Sequence, residues 1–513
     1  MSDLKKFEFD GLFVFENYET IQQRRHKSDP DNLLPFEVLG AKEKVDSPFC
    51  MVSSEGENNI ETSIVYDAEL FDEKSLQRLM HSMKEMLTNI AKDVHVKFID
   101  MELVSPTQRC TLEIWQTEEK NEFFSANTLH EVFEMVAEKF PSEIAVVYND
   151  RKLTYWDLNE RANRLAHYIR QTEEVGPDSL VALFLDKNEL MIVAILGVWK
   201  SGVAYVPVDP NYPDQRVQFI LNDTKARIII SNKHHKEQID RIMQKGNLSP
   251  INIQIDSLEL SNSLKTKTTN NCSTSLPKGV LIEHRTVINF YNSISSFYSK
   301  TADSPPENGQ SQEAIFFTSN YTFDFSVMQL IISILNGNKL VILPTSMTFG
   351  DSDSYDYLNS HGLSIITGTP SQLQYIDLGR FNHLKILGLS GEQLYKYNVD
   401  YFREKYDGLI INHYGITEAT IINTVEMFAS GDKFVNSLGK LLANTFMYIL
   451  DEHMRVVPPG AIGELYITGN CLARGYLNLP EENLKRFIPN PFQTREEKSN
   501  RKNCSIYKTG DLV

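Results

Sequence analysis

The 513-residue chain carries 51 Lys+Arg against 68 Asp+Glu, a formal net charge of −17. That acidic balance excludes a non-specific electrostatic grip on nucleic acid or on an anionic membrane surface, and the longest apolar run, 190–199, is half of the roughly 20 residues a spanning helix needs. Apolar residues at 41% and charged residues at 23% exclude wholesale disorder, and the length predicts about three domains.

In chain order, the N-terminus shows no apolar core before a small-residue cleavage site, so no secretory signal is expected. Leu76, Leu79, Met80, Met83, Leu87 and Ile90 form a helical stripe, with Asp72 as the expected N-cap. Residues 1–105 read as a separate piece and the polar stretch 106–128 as a linker. From 129 onward Leu129, Val132, Phe133, Val136 and Phe140 predict a helix, and Leu158, Ala162, Leu165, Ala166 and Ile169 a second. Between such segments, 145–148, 181–185, 204–208, 228–230, 315–317, 340–343, 365–367 and 409–411 read as buried strands. Strands spaced by helix-length segments predict right-handed crossovers and a largely parallel sheet, an α/β fold. After residue 440 the runs 446–450 and 464–468, separated by a Pro/Gly turn cluster, predict a smaller antiparallel or barrel-like part.

The five cysteines (Cys50, Cys110, Cys272, Cys471 and Cys504) are scattered, with no CxxC and no Cys/His cluster. This predicts reduced thiols and a cytoplasmic protein. His234-His235, the only tandem pair, is expected to be a surface pair in a polar helix.

Single short motifs remain ambiguous. ProLysGly (277–279) suits a phosphate loop or a plain turn. TyrGlyIleThrGlu (414–418) offers an aromatic face, a close-approach glycine, a hydroxyl and a carboxylate, suiting a nucleotide and Mg²⁺ or merely a strand-end loop. Their order is more telling. LeuThrTyr (153–155), a segment 200–213 containing AlaTyrValProValAspPro, ProLysGlyValLeuIleGluHis (277–284), PheAspPheSer (323–326), AsnHisTyrGlyIleThrGlu (412–418), GlyGluLeuTyrIleThrGly (463–469), AlaArgGlyTyrLeu (473–477) and TyrLysThrGlyAspLeu (507–512) follow one another. Together they resemble the adenylation domain of nonribosomal peptide synthetases, in the acyl-adenylate-forming or AMP-binding superfamily, over 129–513. ThrGlyThrProSerGln (367–372) resembles the aminoadipyl-cysteinyl-valine synthetase branch. Residues 9–18 and the stretch through 103 resemble the tail of a condensation domain without its catalytic histidine motif.

The resemblance implies the large N-terminal lobe of this fold, mostly parallel sheets with flanking helices plus a small barrel-like part. It implies activation of an amino acid by ATP and Mg²⁺, then transfer to phosphopantetheine on a separate peptidyl carrier protein. No nucleic acid or membrane partner is implied. Residue by residue, Tyr414 would stack on adenine beside Gly415, Asn412 would bond the adenine amino group, and Asp511 would hold the ribose hydroxyls. Thr417 would touch the α-phosphate, Glu418 would hold Mg²⁺, and Lys278, with Ser273 and Thr274, would contact the phosphates. Asp324 would pair with the substrate ammonium, its other reading being a helix cap. The side-chain pocket would comprise Phe325, Met328, Thr367, Gly388, Ser390, His413, Ile421 and Ile422, with polar groups at Thr367, Ser390 and His413.

Two departures from the family pattern stand out. Cys272 and Ser275 replace the early glycines of the phosphate loop, whose backbone N–H groups need the freedom glycine gives. The sequence ends at Val513, before the family's smaller C-terminal lobe and its lysine. The alternative expectation is therefore a fragment that binds nucleotide or amino acid without turnover.

Overall fold

The structure, a computed structural model, describes residues 12–16, 48–55, 60–97, 101, 104, 126–172, 175–246, 248–256, 279–299 and 312–513. The chain divides into two compact units, Met1–Leu112 with Asp451–Gly463 and Glu113–Leu450 with Glu464–Val513. In the first, β1 (Leu12–Glu16) runs parallel and β3 (Ile60–Tyr66) antiparallel to β2 (Phe49–Glu55), followed by the helix Glu73–Lys92. The Asp72 carboxylate caps that helix as expected, accepting from the Ser75 backbone N–H at 3.0 Å. Of the predicted stripe Leu76 is buried, whereas Leu79, Leu87 and Ile90 are exposed.

The second unit holds three sheets. The first strands are β4 (Ile144–Tyr148), β5 (Arg151–Thr154), β6 (Leu180–Phe184), β7 (Ala204–Pro207), β8 (Ile228–Ser231) and β9 (Ile251–Gln254). Next come β10 (Ala314–Phe316), β11 (Lys339–Ile342), β12 (Ile365–Gly368), β13 (Ile386–Leu389), β14 (Leu409–Tyr414), β15 (Thr424–Phe428) and β16 (Lys440–Leu441). The last are β17 (Thr445–Leu450), β18 (Glu464–Gly469), β19 (Phe487–Pro489) and β20 (Ser505–Leu512). The largest sheet has nine strands in the order β16-β15-β14-β13-β12-β10-β11-β4-β5. It is parallel from β14 to β4 and antiparallel at both edges. A parallel sheet β7-β6-β8-β9 and an antiparallel sheet β17-β18-β20-β19 complete the unit.

The strand sequences explain this. β6 (LVALF), β8 (IIIS) and β12 (IITG) are short apolar runs buried along their length, the pattern of strands covered on both faces. The apolar run 190–199 lies in the helix Glu189–Ser201, which is buried almost all round rather than membrane-facing. Asn188 caps it at the N-terminus, and Gly202, at φ 90°, ends it in the left-handed region.

The eight predicted strands of the α/β region all form, with ends shifted by at most one residue or extended. The structure adds β5, β9, β13, β15 and β16, which no predicted run covered. It places the tandem histidines at the surface at His234, 61% exposed, and half-buried at His235. They occupy a 3₁₀ turn, Lys233–His235, ahead of the helix Lys236–Gly246, and the His235 side chain is only 14% exposed. Cys50, Cys471 and Cys504 are unpaired, while Cys110 and Cys272 lie outside the described residues.

Candidate active site

The carboxyl ends of β10, β12, β13 and β14 gather the candidate residues, the usual position for ligand sites on parallel sheets. Register aligns Thr367 with Gly388, Gly388 with Ile411, and Leu389 with Asn412. Strand alternation then sets Thr367, Gly388 and His413 on one face and Asn412 and Tyr414 on the other. A β-carbon added at Gly388 would lie 2.8 Å from Thr367 Cγ2, 3.2 Å from His413 Cε1 and 2.7 Å from the Tyr298 hydroxyl. Tyr298, from the helix His284–Ser299, thus fills the space that the missing side chain leaves.

This contact decides the chemistry of His413. Its Nδ1 lies 2.9 Å from the Leu389 carbonyl, which can only accept, so Nδ1 carries the proton. Nε2 therefore accepts from the Tyr298 hydroxyl at 3.0 Å, and the two rings stack with an interplanar angle of 9°. Burial pushes the His413 imidazolium down to about 4 and the Tyr298 phenol well above its usual range. His413 is neutral with both nitrogens occupied, so neither is free to bond a ligand. The unfolded imidazole titrates near 6.5, so this residue withdraws stability as pH falls from about 6.5 toward 4 and contributes none of that loss above it.

Thr367 is occupied in the same way. Its hydroxyl accepts from Gln329 Nε2 at 2.8 Å, and its carbonyl accepts from the Thr318 hydroxyl at 2.6 Å. Gln329 is wholly buried and also accepts from the Ser319 N–H. At Thr367 and His413, expected as polar groups of a mixed wall, the polar atoms are turned to protein partners. Ser390 lies buried just beyond β13, its N–H bonded to the Gly368 carbonyl. Phe325 meets the His413 ring at 6.4 Å, and Met328, Ile421 and Ile422 belong to the same buried cluster as Tyr298. We expect Tyr298→Phe to strand the buried His413 acceptor and cost about 1–3 kcal/mol of stability, read by denaturant unfolding. An unchanged midpoint would show that the bond contributes nothing.

Asp324 precedes the helix Phe325–Ile332, but its backbone is already helical and its side chain makes no cap bond. The half-buried carboxylate instead accepts from the Thr417 hydroxyl at 2.6 Å. Burial, with the charge of Glu418 adding, raises its pKa above the usual carboxylate range. The side-chain bond to the second or third helical N–H that a cap would make is absent. Asp324, Thr417 and Ile421 line a cavity of about 30 Å³ with Tyr205, Tyr321 and Val287.

Thr417 and Glu418 sit in the turn Thr417–Ala419. One oxygen of Glu418 accepts from the Tyr476 hydroxyl at 2.5 Å, and Tyr476 and Tyr507 meet hydroxyl to hydroxyl at 2.9 Å. Burial pushes the Tyr507 phenol up to about 12 and raises that of Tyr476 further, as does its bond to Glu418. A carboxylate held in this way fits a hard cation such as Mg²⁺. Tyr414 donates to Asp511 at 2.5 Å, tying the end of β14 to β20. Gly415 is required by close approach, since a β-carbon there would lie 2.2 Å from the Ile421 carbonyl oxygen. Thr420 and Ile421 both take positive φ, 58° and 76°, and for a β-branched residue such as Ile421 that is a strained conformation.

Lys278, Ser273 and Thr274 lie outside the described residues. The chain resumes at Gly279, whose carbonyl accepts from the Leu477 N–H at 2.6 Å, and Val280 bridges antiparallel to Tyr476. Sequence reading gave no role to Tyr298, Gln329, Tyr476 or Tyr507. Gln329 carried a signal, a lone amide within the apolar helix FSVMQLII.

Residues 133–477 match the AMP-binding enzyme family. The chain is 38% identical over 525 residues to the N-(5-amino-5-carboxypentanoyl)-L-cysteinyl-D-valine synthase of Amycolatopsis lactamdurans, covering 100% of this chain and 14% of that protein. It is 30% identical over 531 residues to tyrocidine synthase 3 of Brevibacillus parabrevis, covering 98% of this chain and 8% of that protein. The chain thus spans a small part of the length of these relatives. Its fold is similar, with a TM-score of 0.76 at 24% identity, to a holo four-domain nonribosomal peptide synthetase bound to AMP and glycine, covering 91% of this chain and 34% of that one.

Proposed function

The chain belongs to the AMP-binding enzyme family, and from that premise we propose that it activates an α-amino acid with ATP for nonribosomal peptide synthesis. The substrate carboxylate attacks the α-phosphorus, the bond to the pyrophosphate leaving group breaks, and aminoacyl-AMP and pyrophosphate result. A carrier protein bearing phosphopantetheine is the partner that takes the aminoacyl group. The observation that carries this reading is Asp324, a half-buried carboxylate with a raised pKa beside an apolar pocket. Such a group calls for a cation, and an α-ammonium supplies one.

In this reading the chain's own groups work by positioning and charge. Asp324 fixes the ammonium, and the wall of Phe325, Met328, Thr367, Gly388, Ser390, His413, Ile421 and Ile422 receives the side chain. On the opposite face of β14, Asn412 and Tyr414 receive adenine beside Gly415, and Asp511 receives the ribose. Tyr476 aims Glu418, which would hold Mg²⁺; when bound, that ion neutralises phosphate charge. Thr417 exchanges its bond to Asp324 for the α-phosphate, and Lys278, Ser273 and Thr274 contact the phosphates. A cytoplasmic site of action is supported by the unpaired state of Cys50, Cys471 and Cys504. Among the described residues, no helix is long and apolar enough to cross a membrane.

The test is pyrophosphate exchange into ATP with a panel of amino acids, each beside its des-amino acid. Exchange with one amino acid and not with its des-amino partner is expected. Equal exchange with both would point to a carboxylic-acid ligase instead.

A further inference from the structure

Away from this site, the tandem histidines converge on one carboxylate. His234 Nε2 lies 2.8 Å from Asp186 Oδ2 and His235 Nε2 lies 2.9 Å from Asp186 Oδ1. The three ligand-type atoms fall within 4.8 Å of one another. We propose that Asp186, His234 and His235 form a binding site for a divalent transition ion of the zinc type, unrelated to the Mg²⁺ of nucleotide chemistry.

Several features support a built site over a chance contact. The ligands come from the loops after β6 and β8, adjacent parallel strands whose carboxyl ends lie side by side. Both loops are anchored independently of the cluster. The Asp186 N–H donates to Asn232 Oδ1 at 3.2 Å, and the Lys233 N–H donates to Asp256 at 2.8 Å. The His235 ring is held edge-on to Phe184, with centroids 5.3 Å apart at 82°. Lys187, the cation nearest in sequence, is turned away and donates to the Thr318 carbonyl at 2.8 Å. It therefore does not neutralise the carboxylate that the histidines share.

The donor set selects the ion. Two imidazoles and one carboxylate are borderline ligands that suit zinc, cobalt or nickel, whereas magnesium and calcium prefer oxygen throughout. With the His234 side chain 61% exposed, the outward side is open to water as a fourth ligand. In the metal-free state each Nε2–H donates to one carboxylate oxygen; on binding, each ring proton passes through solvent to Nδ1, both imidazoles stay neutral, and the freed Nε2 atoms and the carboxylate share one ion that clips the two loops together. Binding to the folded state alone also stabilises it by mass action.

The test is a Co²⁺ titration of the full chain, stripped of metal and held slightly above neutral pH, followed by visible ligand-field absorption and then Zn²⁺ displacement. One saturating equivalent is expected, with a rise in melting temperature. Apparent affinity should fall about tenfold or more in His234→Gln, His235→Gln and Asp186→Asn, and stay unchanged in His453→Gln, an exposed histidine elsewhere. His234→Gln alters the most exposed ligand, so it keeps the test decisive if a change at His235 or Asp186 perturbs folding. No saturable absorption, or absorption unchanged in His234→Gln, would overturn the site and leave an ordinary hydrogen-bonded pair.

Discussion

Asp324→Asn is expected to lower kcat/KM for the activated amino acid by about a hundred- to a thousandfold in pyrophosphate exchange. Removing one partner from a desolvated charge pair costs about 2–5 kcal/mol, and each 1.4 kcal/mol is a factor of ten. Nucleotide affinity should hardly change, because the group that is lost is the one proposed to face the ammonium. The stability effect has the opposite sign. The folded-state pKa of Asp324 is raised, so at neutral pH the ionised carboxylate weakens the fold, and that penalty disappears as pH falls through the raised value. Asparagine removes the penalty, so the variant should melt no lower than the wild type. Loss of exchange with equal or higher melting temperature is the mark of a group kept for binding. Full exchange in the variant would leave Asp324 without its proposed role.

The second large effect is expected in the loop before Lys278. Cys272→Gly with Ser275→Gly should raise amino-acid-dependent exchange by roughly a hundredfold or more. Glycine lets successive N–H groups turn toward a phosphate, and a single pre-aimed donor at a developing charge contributes about 3–4 kcal/mol in well-studied oxyanion sites. The hydroxyls of Ser273, Thr274 and Ser275 are the competing explanation, since they could donate in place of backbone groups. Equal rates for native and glycine-restored loops, measured side by side, would show that they suffice.

Much of the fold was legible because buried parallel strands are written as short apolar runs. β6, β8 and β12 are of this kind, and each formed where predicted. β13 escaped because Gly388 interrupts its apolar run, and the reason for that glycine lies in a tertiary contact with Tyr298 that no local pattern encodes. The motif order made the site legible by resemblance, but the states of its side chains were not. Whether His413 offers a nitrogen to a ligand depends on a carbonyl in a neighbouring strand and a hydroxyl 115 positions away. The Asp324 alternatives were likewise inseparable in sequence, since a cap and an ammonium partner both stand at a helix N-terminus. Only the bond to Thr417 and the helical backbone at Asp324 part them. That the tandem histidines share a carboxylate was not legible, because Asp186 is 49 positions from His235.

β14 sets the residues proposed for amino-acid recognition and those proposed for the nucleotide on opposite faces of a single six-residue strand. Exchanging side chains at Gly388, Ser390 or His413 should therefore re-tune amino-acid choice while leaving in place the adenine contacts proposed for Asn412 and Tyr414. Insertions and deletions are a different matter. A slip of one residue would turn His413 toward the proposed nucleotide face and Tyr414 toward the proposed pocket, disabling both at once. Diversification of this chain toward new substrates is thus open to point changes and closed to length changes along β14, a constraint that a library varying both could measure directly.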